Sequence, residues 1–247
     1  MIDATIKTYA TRQAAAVLVA LGLAGGLAAF GPSLARPGSA VAPSAPPATV
    51  SGYPLVVDGD TLHFGSIKVR LEGIDAPEQA QTCLTAAGHP WPCGQIATRT
   101  LTQLVGRDEV RCAERGIDKY GRVLGVCFAG ALEINAEMVR LGQAWAFVKY
   151  SEAYVALEAD ARTRRAGIWQ GQAQPAWDYR AGRWQTAEEA APQGCAIKGN
   201  VTRNERIYHM PWSPWYDKIR MEAGHGKRWF CSEDEAIKAG WRPAQSR

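Results

Sequence analysis

From Tyr53 onward, apolar residues recur first at every second position and later at every third or fourth. The segment "PLVVDGDTLHF" (54–64) is a strand run broken by the turn "DGD", and "GS" turns the chain into "IKVRLEGI" (67–74). In "GQIATRTLTQLVG" (94–106), Ile96, Leu101, Leu104 and Val105 share one helical stripe between Gly94 and Gly106. "DEVRCAE" and "RVLGVCFA" flank "RGIDKYG" as a β-hairpin. Helical spacing returns in 132–144 with Ile134, Met138 and Leu141. It returns again in 151–167, from a Ser151 cap to Gly167, with Arg162, Arg164 and Arg165 at the end where the helix dipole favours cations. Three strands, a helix, two strands and two helices predict a mainly β fold with α. The closed form of that order is a five-stranded antiparallel OB-fold barrel with about three helices, which leaves no bare sheet edge. Residues 172–194 read as a loose connector, and 195–247 as a small Trp-rich α+β module.

Upstream of Tyr53 the pattern changes in kind. Lys7 and Arg12 precede the uncharged run "AAAVLVALGLAGGLAAF" (14–30), and "SLA" at 33–35 has the small residues of a cleavage site. The run is near the upper length of a signal core and the lower length of a membrane span. Residues 1–35 are therefore expected to be either a signal peptide or a retained N-terminal membrane anchor. Both leave the rest of the chain exported, in the periplasm or outside the cell. Residues 36–51 form a linker rich in Pro, Ala and Ser.

Composition adds two constraints. The 247 residues, 47% of them hydrophobic, suffice for a sizeable core. The net charge of +4 is uneven: residues 1–194 hold 18 Lys+Arg against 18 Asp+Glu, and residues 195–247 hold 10 against 6. Charge alone therefore does not establish a nucleic-acid partner. Export makes the six cysteines legible as disulfides. Cys112 lies six residues before Asp118 and Cys127 six after Gly121, so a turn at "DKYG" sets them opposite each other. Cys83 and Cys93 bracket a loop without apolar repeat, which leaves Cys195 with Cys231. The competing readings are free thiols, or a zinc site in the tail from Cys195, His209, His225 and Cys231.

Charged residues concentrate in three segments: "DGDT" with Asp58 and Asp60, "VRLEGIDAPE" with Arg70, Asp75 and Glu78, and "DKYGR" with Asp118, Lys119, Tyr120 and Arg122. Alone, each is an ordinary turn or strand end. Together they hold the parts of a phosphate site. Two aspartates and a backbone carbonyl make an oxygen-only cage suited to Ca2+. Two arginines can grip a phosphodiester, and a glutamate can take a proton from water. Strict strand alternation sets Arg70 and Asp75 on opposite faces, so a shared site requires a bulge or strand end near Gly73.

The segments "VVDGDTLHF", "VRLEGIDAPE", "DKYGRVLG" and "MVRLGQAWAFVKYS…EADARTRRAGIW", in this order, resemble the staphylococcal nuclease (thermonuclease) family over about residues 52–171. The resemblance implies an OB-fold barrel and a Ca2+-dependent phosphodiesterase acting on DNA or RNA. It further implies that Asp60 and Asp75 are calcium carboxylates, that Ala76 supplies a backbone carbonyl, and that Glu78 is the general base. Arg70 and Arg122 match the phosphate-binding arginines, and Lys119 and Tyr120 flank the nucleotide. The family's further nucleotide-side tyrosine is matched here by Phe147 or Tyr150, and the cysteine-bearing loop after Glu78 is this chain's own. The tail resembles sunset-type modules in "IKGN", "IYH", "WYD", "RWFCSE" and "AGWRP". Its tryptophans, Trp212, Trp215, Trp229 and Trp241, either form its core or stack on single-stranded nucleic acid beside Lys and Arg. The alternative function is a catalytically weak nucleic-acid or cell-surface binding protein on the same scaffold.

Overall fold

A computed structural model describes residues 48–203, 205–222 and 226–244. The export segment expected at 1–35, most of the linker and His225 lie outside the described residues. Five strands open the described chain: β1 (Thr49–Gly52), β2 (Leu55–Val56), β3 (Thr61–Phe64), β4 (Ile67–Leu71) and β5 (Ile74–Asp75). Two short strands, β6 (Cys83–Thr85) and β7 (Pro90–Trp91), precede α1 (Cys93–Val105). The hairpin β8 (Val110–Ile117) and β9 (Val123–Ala129) leads into β10 (Leu132–Glu133), α2 (Ile134–Arg140), β11 (Trp145–Ala146), α3 (Val155–Thr163) and β12 (Gly171–Gln172).

The main sheet runs β1-β8-β9-β4-β3-β2, with β10 on β9, and curls into an OB-like half-barrel. Its pairs are antiparallel except β4–β9, which is parallel, with Val69 opposite Val123. This corrects the all-antiparallel expectation. The chain between β4 and β9 includes α1, long enough for the crossover that a parallel pair needs. On β4, Val69 and Leu71 point inward while Lys68 and Arg70 do not, the alternation of a half-buried strand. Helix α1 lays Ala97, Leu101 and Val105 onto the same core, joined by Ile134, Met138 and Val139 of α2. Ile96 and Leu104 lie at the edge of that stripe, half-buried. Helix α3 begins four residues after Ser151, which is not its cap. The residues between form a turn in which the Ala153 N–H donates to Ser151 Oγ and the Val155 N–H to the Glu152 carbonyl, both at 3.2 Å, and buried Tyr154 donates its hydroxyl to Glu133 at 2.7 Å.

All three disulfides form as the spacing implies: Cys83–Cys93, Cys112–Cys127 across β8 and β9, and Cys195–Cys231. The last removes two of the four groups needed for a zinc site in the tail. Among the described residues no helix is long and apolar enough to cross a membrane.

The stretch 172–194 is not a loose connector. It contains α4 (Ala176–Ala190), begun by Pro175 and followed by β13 (Ile197–Val201), β14 (Arg206–His209), β15 (Arg228–Phe230), α5 (Glu233–Lys238) and β16 (Arg242–Pro243). The tail strands form a separate sheet, β15-β13-β14-β16, over Ile197, Tyr208, Phe230, Ala236 and Trp241. Helix α4 serves both sides. Trp177 stacks on Phe147 with centroids 5.5 Å apart and meets Trp145 edge-on at 6.1 Å, whereas Trp184 packs against the tail core.

Candidate active site

The acidic cluster is assembled largely by local geometry. In the turn before β3, Asp58 Oδ1 accepts the Asp60 N–H at 3.1 Å, which fixes the turn. Asp60 then faces inward. Its Oδ1 accepts from Thr61 Oγ1 at 3.1 Å and Arg70 Nη1 at 2.7 Å, and its Oδ2 accepts the Ala76 N–H at 3.0 Å. Arg70 stands opposite Thr61 in the β3–β4 ladder, one step from Asp60. Its second guanidinium nitrogen reaches Asp75 Oδ1 at 2.7 Å.

Arg70 and Asp75 meet because the strand ends between them. β4 stops at Leu71, Gly73 takes φ +75°, and Asp75 pairs with Trp145 in a different sheet. Only glycine fits there: a Cβ at Gly73 would lie 2.9 Å from the Tyr154 ring and 3.0 Å from Ser151 Cβ. The break expected from the odd spacing is therefore present.

Glu78 follows Pro77 in a loop braced from both sides. Its N–H donates to Gln81 Oε1 at 3.1 Å, and buried Gln81 donates to the Gln174 carbonyl at 2.6 Å. At the start of α1, Gly94 lets the helix approach closely, since a Cβ there would fall 1.7 Å from the Glu78 carbonyl oxygen.

The residue that sequence reasoning missed is Arg180. From α4 it forks onto Asp75, donating to Oδ1 at 3.1 Å and Oδ2 at 2.7 Å, and its Nη1 also donates to Glu78 Oε1 at 2.7 Å. Asp75 has no exposed surface, so this is a buried ion pair. A signal for it existed. Trp177, Arg180 and Trp184 are spaced i, i+3, i+7, one stripe of a helix, and a charge on an inward stripe between two tryptophans calls for a buried partner.

Burial and charge set the acids against one another. Burial, reinforced by Asp60, pushes the Asp58 carboxyl up to about 7. Burial also pushes Glu78 up to about 8, with Arg180 opposing. Asp60 is buried too, yet Arg70 and the Ala76 N–H hold it below the usual carboxylate range. The charge of Arg122 reaches Asp60 in the same direction, although its Nε is paired to Asp118 Oδ2 at 2.7 Å. Asp60, Arg70, Asp75, Ala76 and Glu78 are thus brought together, whereas Arg122 pairs with Asp118 and reaches Asp60 through its charge alone. Lys119, Tyr120 and Tyr150 make no contact with these carboxylates among the described residues. Lys119 Nζ stands 4.7 Å from the Tyr120 ring centre, and exposed Tyr150 meets Phe147 edge-on at 5.2 Å.

The family described as staphylococcal nuclease homologue matches residues 68–171, the span that carries most of this site. A micrococcal nuclease of Shigella flexneri is 36% identical over 143 residues, covering 51% of this chain and 76% of that protein. The chain belongs to the staphylococcal nuclease family. An uncharacterized endonuclease of Haemophilus influenzae is 40% identical over 121 residues, 46% of this chain, and the chain spans 62% of that protein's length. The succinoglycan biosynthesis protein ExoI of Rhizobium meliloti is 32% identical over 137 residues, covering 54% of this chain and 72% of that protein. Two of these three relatives carry the name of a nuclease. The tail is corrected by the same comparison: residues 177–243 match the family described as ArfC, not a sunset-type module. That match begins within α4, so Arg180 reaches the nuclease-family site from a segment belonging to the second family.

Proposed function

We propose that this protein is a Ca2+-dependent nuclease that hydrolyses phosphodiester bonds of DNA or RNA, with Glu78 as general base. The observation that carries this reading is the cluster in which Arg70 bonds Asp60 and Asp75 and Arg180 bonds Asp75 and Glu78, with the charge of Arg122 also felt at Asp60. The donor set suits a hard cation, since Asp60, Asp75 and the Ala76 carbonyl offer oxygen alone. Among the described residues, Arg70 and Arg180 are the guanidinium groups bonded to Asp60, Asp75 and Glu78, and Asp58 is bonded to neither. Bound there, the ion would draw charge from the phosphoryl oxygens and acidify the attacking water.

The chain's own groups do the rest. Arg70 and Arg122 neutralise the non-bridging oxygens as charge builds on them. Glu78, whose burial raises its affinity for a proton, takes one from water for in-line attack. Lys119, Tyr120 and Tyr150 flank the nucleotide. Three disulfides support an exported location, periplasmic or extracellular, where calcium is available.

A second reading, a weakly catalytic nucleic-acid or cell-surface binding protein, draws on Arg180, which already engages Asp75 and Glu78. Digestion of heat-denatured DNA separates the two. Wild type is expected to cleave with Ca2+ and not with EGTA, and Glu78→Gln to cleave at least ~100-fold more slowly. Negligible cleavage under all three conditions favours the binding protein.

A further inference from the structure

The acid cluster opens onto a cleft whose far wall belongs to the tail. Asp58 and Glu78 line one side of this cleft, of about 120 Å³, and Tyr208, Met210, Trp212 and Trp215 line the other. A wider hollow of about 570 Å³ adjoins it and shares Gln79, Pro214 and Trp215. Arg99 of α1 and Lys218 stand in the outer hollow, and neither has an ion-pair partner among the described residues. Aromatic faces thus lie next to Glu78, and free basic groups lie one step farther out.

The tail wall is held in place rather than loosely appended. The same helix that sends Arg180 to Asp75 and Glu78 sends Arg183 to the loop: Nε donates to the Pro211 carbonyl at 2.9 Å, and Nη2 donates to both Asp217 oxygens at 2.9 Å. From below, Lys198 Nζ donates to the carbonyls of Tyr216 and Ile219 at 3.0 and 2.9 Å, and buried Tyr216 donates to the Ala196 carbonyl at 2.6 Å. Pro211 and Pro214 stiffen the backbone between these anchors. The loop nevertheless leaves the Trp215 side chain 43% exposed, with Lys218 Nζ 4.4 Å from its ring centre. A rigidly mounted tryptophan that the core does not use, beside unpaired cations and a catalytic carboxylate, is the form of a base-stacking platform.

We propose that the loop 211–218 is a nucleobase-binding subsite, stacking an unpaired base on Trp215 and Trp212 while Arg99 and Lys218 face the strand's phosphates. This deepens the nuclease reading and rests on it for the position of the scissile phosphate at Glu78. Stacking requires a free base face, so the subsite selects single strands over duplex. The test is binding of a fluorescently labelled oligothymidylate of twelve residues to the full chain in EGTA, beside a duplex and an abasic oligomer of equal length. Trp215→Ala is expected to weaken oligothymidylate binding about tenfold, with abasic and duplex binding unchanged and Trp215→Phe retaining most of the affinity. Unchanged oligothymidylate affinity in Trp215→Ala overturns the proposal. So does an equal loss for the abasic oligomer, or tighter wild-type binding to duplex than to single strand. Because EGTA suppresses cleavage, a protein that binds in this manner but never cuts DNA with Ca2+ would sink the nuclease reading alone.

Discussion

Replacing Arg180 by methionine keeps most of the side chain's reach and removes its guanidinium. In the wild type that group satisfies both oxygens of Asp75, which has no exposed surface, and one oxygen of Glu78. Removing one partner of a buried ion pair costs about 3–5 kcal/mol, chiefly because the other charge is left uncompensated. Arg70 still holds Asp75 at 2.7 Å, so the lower end applies, about 3 kcal/mol. At roughly 2–4 °C per kcal/mol for a chain of this size, Tm falls by about 6–12 °C. Urea unfolding in EGTA measures the loss directly. Calcium then adds a second comparison. A cation on Asp75 must displace Arg180 in the wild type but not in the variant, so Ca2+ should stabilise Arg180→Met more than wild type. Ligand at about 100 times its Kd contributes about 2.7 kcal/mol, enough to resolve the difference. A variant within about 1 kcal/mol of wild type in EGTA would refute the buried pair. Equal calcium stabilisation of both proteins would refute the shared carboxylate.

Two further substitutions probe the frame of the site and the tail. Gly73→Ala forces an L-residue into φ +75° with its Cβ 2.9 Å from the Tyr154 ring. It is expected to cost about 2–3 kcal/mol in urea unfolding and to lower DNA cleavage by turning Asp75 from Arg70; wild-type stability and activity would contradict the strand-break account. His209 is buried, with Lys198 nearby, and burial lowers its pKa to about 4. Its folded value lies below the unfolded value of about 6.5, so the unfolded chain takes up the proton first and stability is lost as pH falls from about 6.5 toward 4. The loss is at most about 3 kcal/mol, and His209→Gln should flatten that part of the stability curve. Unchanged pH dependence in the variant would place the acid sensitivity elsewhere.

The chain alone determined whatever depends on neighbours in sequence. Alternation fixed the inward face of β4, and helical spacing placed Leu101 and Val105 of α1 and Ile134 and Met138 of α2 on the core, while Ile96, Leu104 and Leu141 are half-buried. The turn at "DKYG" set Cys112 opposite Cys127. Asp60, Arg70, Asp75 and Glu78 fall within nineteen residues, so two ladder steps and a break at Gly73 suffice to gather them. The parallel pairing of β4 with β9 was not legible in this way, because it depends on a crossover and not on either strand's own pattern.

Tertiary structure alone decided what faces those acids. Arg180 lies 105 residues from Asp75. It arrives on a helix whose apolar residues are divided between two packing partners, Trp177 on the barrel side and Trp184 on the tail side. A helix shared between two cores has no single wide apolar face to announce it, so 172–194 read as a connector. The same helix positions the wall carrying Trp212 and Trp215. Local sequence encodes backbone geometry and side-chain direction over a few residues. Which charge meets a buried carboxylate from the far side of a cleft is set by how two distinct cores pack on one helix.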